Sequence, residues 1–302
     1  MRYASKVAMC RVQIPKLAYD NNTLEFWYTG NGSATFDPAI TTSKSTTIVW
    51  QTSDGQNVTT TGTSHAFSYT PASGGPYRCT VRVNGGLGLV AALTCDADSI
   101  VFISPHVFNH TFSGSIVVNN NTDLSLPLYI LRTQSQIWIQ YTSIYGQLSD
   151  LSPGYNTFGC PYSTKISGSL SNLASSVQSA WLYACMLIVP GSIAHLTAIR
   201  DIRIYSIGWL QGNISTPTSG VDGVIASAWG ARASYTYSSP SMQIGGTNAA
   251  PSGNYIAPEE GADWHEDSPG HWVPLTGKAM IYDLVNDVNG EGFNAWTITY
   301  TT

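Results

Sequence analysis

One short phrase recurs between residues 85 and 228, and that recurrence constrains the fold more than any other feature. Glycine, any residue, then leucine or isoleucine appears at Gly114-Ser-Ile116, Gly146-Gln-Leu148, Gly168-Ser-Leu170, Gly191-Ser-Ile193 and Gly212-Asn-Ile214. The last four are almost evenly spaced, and the longer first gap, from Gly114 to Gly146, reads as a unit carrying an insertion. Upstream, Ile137-x-Ile139-x-x-Thr142-x-Ile144-x-Gly146 and Leu182-x-Ala184-x-x-Leu187-x-Val189-x-Gly191 share a second pattern. Ile202-x-Ile204 and Phe158-x-Cys160 fit it with one inserted residue. Alternating apolar residues put two side chains on one face of a short strand. One such unit cannot bury its apolar face alone, whereas stacked units bury a continuous core. Val189 to Ile214 then reads as about one turn, with Leu196 and Ile199 on the return side and Ile202-x-Ile204 as the next inward strand. The competing reading is a plain β-rich domain with accidental glycine spacing.

The wording L-x-L-x-x-N-x-L-x-G-x-I at this period resembles leucine-rich repeats of the bacterial-surface type. Degenerate forms of these occur beside PKD-like modules in gut bacteria and their phages. The asparagine position of the motif is Thr142 in one unit and Leu187 in another, so the repeats are degenerate. The resemblance implies that the intervening residues of each strand form an exposed surface. These are Trp138, Gln140 and Tyr141, then Pro161 and Tyr162, then Trp181, Tyr183 and Met186, then Arg203 and Tyr205. Stacking would place them about 4.8 Å apart per step. The candidate ligand- or partner-binding residues are therefore Trp138, Tyr141, Tyr162, Trp181, Tyr183, Arg203 and Tyr205. Aromatics beside hydroxyls and amides suit carbohydrate or protein ligands. The alternative is that they cover the sheet or pack on a neighbouring subunit.

Residues 1–40 read as an N-terminal strand or arm containing the apolar Leu24–Gly30. Residues 41–84 read as short strands: Thr46–Trp50, Val58–Thr61, Ser64–Tyr69 and Tyr77–Val83, with Asp54-Gly55 as a hairpin signal. The order from Val49-Trp50 through Asp54-Gly55 and Ser64-His65-Ala66-Phe67-Ser68-Tyr69 to Gly75-Pro76-Tyr77 resembles a PKD-like module spanning most of this segment. Residues 229–302 break the rhythm and read as a C-terminal cap. Ala257–Gly270 looks loop-like and acidic, and Met242–Ile244 is a short strand. Ala279, Tyr282, Val285 and Val288 at helical spacing predict a helix, with Thr276 as N-cap and Asn289-Gly290 as the stop. Phe293–Tyr300 alternates as a final strand. The expected architecture is mainly β: an N-terminal Ig/PKD-like β-sandwich, a leucine-rich-repeat-like solenoid over 85–228, and a small α/β C-terminal cap.

Charged residues make up only 10% of the 302, against about 25% in ordinary globular chains. Ser, Thr, Asn and Gly fill the gap, a palette of cell surfaces and virions. The net charge of -5 and the lack of any Lys/Arg run argue against nucleic acid. No apolar run approaches the length of a membrane span. The N-terminus lacks the apolar stretch of a secretory signal. Five cysteines (Cys10, Cys79, Cys95, Cys160, Cys185) show no metal spacing and read as buried thiols. There is no Gly-x-Ser-x-Gly elbow, P-loop or dinucleotide fingerprint. Asp263–Trp272 holds the one weak metal candidate, His265, Asp267 and His271, against a solvated acidic loop anchored by two tryptophans.

These readings lead to a non-enzymatic structural or adhesive exterior protein without a cofactor. A phage virion or virion-associated component comes first, since the chain looks complete from Met1 and lacks a leader. A bacterial cell-surface leucine-rich-repeat adhesin is the alternative, and a surface glycan-active enzyme the third. The expected partners are itself, other virion or surface proteins, or glycans, with no nucleic acid and no membrane insertion. The expected location is a virion exterior or an extracellular surface.

Overall fold

The computed structural model describes residues 21–96, 99–121, 124–216 and 219–302. Cys10 and the rest of the expected arm before residue 21 lie outside the described residues. The chain is mainly β, 41% strand and 15% helix, and is dominated by one large mixed sheet.

The N-terminal third is antiparallel. It comprises β1 (Thr23–Gly30), β2 (Ala39–Thr52), β3 (Asn57–Ala66) and β4 (Gly74–Val83), followed by β5 (Val90–Asp96) and β6 (Ile100–Ile103). Residues alternate between faces along a strand, so Leu24, Phe26 and Tyr28 of β1 point into one core. Trp50 stacks on Phe67 there with ring centroids 5.6 Å apart, and Tyr28 stacks on Phe36 at 4.2 Å. Asp54-Gly55 turns β2 into β3, with Gly55 at φ 102°, the region a type I′ or II′ turn needs. The apolar Leu24–Gly30 is thus a strand paired with β4 on one side and β6 on the other. β5 is the joint: it runs antiparallel to the first half of β2 and parallel to Ile116–Asn121 further on, so one sheet continues past residue 84.

From there the chain winds through β7 (Ile116–Asn121), β8 (Gln136–Thr142), β9 (Gly146–Gln147), β10 (Thr157–Gly159), β11 (Ile166–Ser169), β12 (Ser179–Tyr183), β13 (Leu187–Val189) and β14 (Asp201–Tyr205). Next come α1 (Gly220–Gly230), β15 (Ser241–Gly245), β16 (Trp264–Ser268), β17 (His271–Pro274), α2 (Gly277–Asn286) and β18 (Thr297–Tyr300). β5, β7, β8, β10, β12, β14, β15 and β18 lie side by side, all parallel, and β9, β11 and β13 form a second parallel sheet on the return path. Ile116, Ile137, Phe158, Ala180 and Ile202 stand in register, all fully buried. Their near-equal separations along the chain make the structural period regular.

That register corrects two alignments. Gly114 enters a main-sheet strand, whereas Gly146 and Gly168 lie on the return strands, so the long gap from Gly114 to Gly146 contains no insertion. The inward pair of β12 is Ala180 and Leu182, not Leu182 and Ala184, and Leu187 is half exposed on the return strand rather than buried. Both pairs share one face, so Trp181 and Tyr183 face outward either way; the difference is that the strand ends at Tyr183 and Ala184 turns away at φ 50°. Gly146-Gln-Leu148 and Gly168-Ser-Leu170 each lead into a one-turn 3-10 helix with a buried leucine and a capping box, Gln147 with Asp150 and Ser169 with Asn172.

Two elements of the C-terminal part escape the sequence reading. α1 is buried on nearly every side and so lacks the apolar stripe that marks a surface helix. Ala257–Gly270 is not all loop, because Trp264–Ser268 pairs with His271–Pro274 as a hairpin. α2 forms with Thr276 as its N-cap and ends at Asp287 in the left-handed region, just before the expected stop. The final strand is confined to Thr297–Tyr300. The two helices pack on each other, and the Trp229 indole N–H donates to Asp283 at 2.6 Å. Among the described residues no helix is long and apolar enough to cross a membrane.

Candidate functional site

The main sheet has a buried face and an outer face, and alternation decides which side chains reach each. Outward from the row Ile137–Phe158–Ala180–Ile202 stands the row Trp138–Gly159–Trp181–Arg203, continued by Gln243. Further along the same strands, Tyr183 and Tyr205 pair in the same way, with rings 5.9 Å apart. Tyr141, near the end of β8, and Tyr162, just past β10, stack face to face, centroids 4.6 Å apart and planes 3° off parallel. The sequence candidates thus fall into three clusters: Trp138, Trp181 and Arg203; Tyr183 and Tyr205; Tyr141 and Tyr162. Pro161 is buried, and the register position in that turn belongs to Gly159.

Hydrogen bonds fix the central cluster. Asp201 accepts from the Trp181 indole N–H at 2.7 Å, from Arg203 Nε at 2.7 Å and from the Ser241 hydroxyl at 2.6 Å. The Arg203 guanidinium lies over the Trp181 ring, 4.1 Å from its centroid. Arg203 Nη1 also donates to the Tyr183 hydroxyl at 3.4 Å, and that bond and Asp201 push its pKa up, so its charge is permanent. The Trp138 indole N–H donates to Gln140 Oε1 at 3.3 Å. An open depression of about 380 Å³ lies beside this cluster, lined by Asn119, Gln136, Thr157, Ser179 and both tryptophans. Sequence reasoning missed Asp201, Gly159 and the polar rim. Their signal lies in the positions just ahead of each outward side chain on the same face: Gln136 before Trp138, Ser179 before Trp181, Asp201 before Arg203.

Other titratable clusters hold structure together. Tyr28 and Tyr69 both donate to Asp54, at 3.0 Å and 2.8 Å, and also touch each other. Burial pushes both phenols up, so they stay protonated donors. Burial also works against the Asp54 carboxylate, yet bonds from Thr52, Tyr69 and Tyr28 outweigh it and hold the group below the ordinary carboxylate range. Of the weak metal candidates, the β16–β17 hairpin pairs His271 with Asp267 at 2.6 Å, while His265 pairs with Glu260 at 3.0 Å. Glu260 raises the His265 pKa, chiefly by that bond. Among the described residues no three His, Cys, Asp or Glu side chains converge as a metal-holding group.

No family model matches this chain, and neither curated proteins nor solved structures include a significant match.

Proposed function

We propose that this is a non-enzymatic adhesive protein of an exterior surface, which holds its partner on the outer face of the long sheet. The observation that carries the reading is the row Trp138–Gly159–Trp181–Arg203, flanked by Tyr183 and Tyr205. Large aromatic and arginine side chains, fixed in orientation and partly open to solvent, are the residues that anchor partners. The finer architecture is a leucine-rich-repeat-like solenoid following a PKD-like sandwich. Its support is the regular parallel winding, one main-sheet strand per turn, and the antiparallel strands around Trp50. A phage virion exterior is the first setting and a bacterial surface the second, supported by the sparsely charged, hydroxyl-rich composition.

A second reading is favoured by the opposite side. Leu187 and Val189 on β13, with Met186 just before it and Leu210 about one turn later, are all more than half exposed, the pattern of a surface that packs against another subunit. Two variants separate the readings. Binding to immobilised glycans and self-association by sedimentation velocity are measured for the wild type, for Trp138→Ala/Trp181→Ala/Tyr205→Ala, and for Leu187→Asn/Leu210→Asn. Loss of binding in the first variant alone is expected. Interactions indifferent to the first variant and lost in the second transfer the function to the return side.

A further inference from the structure

We infer that the corner made by Trp138 and Trp181 is a binding subsite for a neutral saccharide. This rests on the reading that the outer sheet face is the partner-binding face, and names the ligand class that face takes.

Gly159 lies in register between the two tryptophans, on the strand that separates them. A Cβ at Gly159 would sit 2.4 Å from Trp138 Cε3 and 2.5 Å from Cζ3. The six-membered ring of Trp138 therefore occupies the space of the missing side chain and lies across the backbone of β10. A ring lying over the sheet turns its other face to solvent. Trp181 meets it nearly at right angles, 75° between planes and 5.1 Å between centroids. Arg203 covers one face of Trp181, and Asp201 grips its indole nitrogen. The result is a floor and a wall, both held before any ligand arrives, so little ordering cost remains to be met on binding.

The chemistry of the corner selects the ligand. A pyranose carries an apolar C–H face and a rim of hydroxyls. The floor offers an aromatic face for the first. Gln136, Thr157, Ser179 and Asn119 line the depression for the second, and each side chain both donates and accepts. Among the described residues no charged side chain lines it. Beyond the wall, Asp201 and Arg203 are paired with each other, so neither presents a free charge to an acidic or basic ligand. A uronic or sialic acid, a phosphate or a charged peptide would find no countercharge, whereas a neutral sugar needs none. The depression is open and at the small end of the ligand-site range, which suits a short stretch of a longer chain lying across the strands.

The test is titration calorimetry and tryptophan fluorescence with cellohexaose, xylohexaose, maltohexaose and mannohexaose. Polygalacturonate and heparin serve as charged comparators. At least one neutral oligosaccharide is expected to bind and to change the tryptophan emission. Trp138→Ala should weaken binding at least about tenfold, while Trp138→Phe, which keeps an aromatic face, should stay within a few-fold. Gly159→Ala, which lifts the floor without touching the rim, should weaken binding as well. Thermal melts of each variant separate lost binding from lost folding, and Ser179→Ala serves as a mild rim variant if Gly159→Ala fails to fold. Failure of all four neutral sugars, or binding unchanged by Trp138→Ala, overturns the assignment. If polygalacturonate, heparin or a second copy of the chain binds instead, and Tyr205→Ala abolishes that binding, the face reading stands and the sugar assignment falls. If nothing that binds depends on Trp138, Trp181 or Tyr205, both fall.

Discussion

The Ser163 hydroxyl donates to the backbone carbonyl of Ile139 at 2.9 Å, reaching from one turn of the chain to the previous one. Cys185 makes the same reach to the carbonyl of Cys160, and the Asn248 amide to that of Ile204 at 2.8 Å. All three donors are buried, and they follow main-sheet strands that pair side by side. A stacked chain buries some carbonyls that its neighbouring strand does not reach, and a short polar side chain one turn later supplies the missing donor. Asn248 does more, because its Oδ1 also accepts from the backbone N–H groups of Ile207 and Trp209.

Removing a donor should therefore cost in proportion to what it leaves unpaired. Ser163→Ala should destabilise by about 1–2 kcal/mol and Asn248→Ala by about 3 kcal/mol or more, read as midpoints in urea. Cys185→Ser keeps a donor and should cost less than Cys185→Val. Equal stability of Ser163→Ala and wild type would remove this ladder from the account of the fold.

A second periodic feature lies in the backbone. Asn120, Tyr141, Tyr162, Ala184 and Ser206 all adopt φ between 49° and 58°, one such residue in each turn of the winding. Non-glycine residues meet a steric penalty of about 1–2 kcal/mol there. Ala184 is the member with the least side chain to compensate. Ala184→Gly should thus raise stability by about 0.5–1 kcal/mol despite the added freedom of the unfolded chain, while Ala184→Val should lower it. Thermal midpoints of the two variants, moving in opposite directions from wild type, check this.

These two ladders also mark what the sequence makes legible. Ile137-x-Ile139 and Ile202-x-Ile204 carry their aliphatic residues on one face only, so their strands and inward direction read directly from alternation. Between them, Leu182, Ala184, Leu187 and Val189 are all apolar, and alternation alone allows two registers; the exposed Leu187 and Val189 make the wrong one look better. The left-handed residues are one Asn, two Tyr, one Ala and one Ser, so composition does not announce them. The outer aromatics are legible because strands that bury isoleucine on one face rarely need tryptophan on the other. Asp201 is not, since its importance lies in a contact with Trp181 on the previous turn. α1 contains Gly220, Gly223 and Gly230, which weaken helix propensity, and its burial against α2 supplies what propensity lacks.

Two carboxylates should give stability opposite slopes with pH. Asp54 is held below the ordinary carboxylate value in the folded chain, so its contribution is present above that value and is lost as pH falls through the folded one. Asp222 is buried on α1, and desolvation raises its pKa although the Ser252 backbone N–H donates to it at 3.0 Å. Its contribution is therefore greatest in acid and declines as pH rises through its raised value. In thermal melts from acid to neutral pH, Asp54→Asn should lose most against wild type at neutral pH and converge with it in acid. Asp222→Asn should show the reverse: no gain in acid, and a gain as the wild-type carboxylate ionises. Parallel curves for wild type and both variants would contradict the assignment.

The last prediction concerns the thiols of Cys160 and Cys185, which lie 3.2 Å apart in the core and are fully buried. Burial pushes the Cys160 thiol well above its ordinary value, with Cys185 as the next cause. Burial likewise pushes Cys79 up to about 12 and raises Cys95. The thiolate is the reactive form, and a buried protonated thiol is neither ionised nor reachable. All four are buried out of reach, so all should resist maleimide in the folded protein under mildly alkaline conditions, with labelling assigned residue by residue through peptide mass mapping. In denaturant all four should label fully. Because reaction requires opening of the core, the native labelling rate should rise with added urea and should lose its dependence on maleimide concentration once opening limits it. Rapid native labelling of Cys160 or Cys185 that follows pH rather than urea would mean that the core between β10 and β12 is open to solvent.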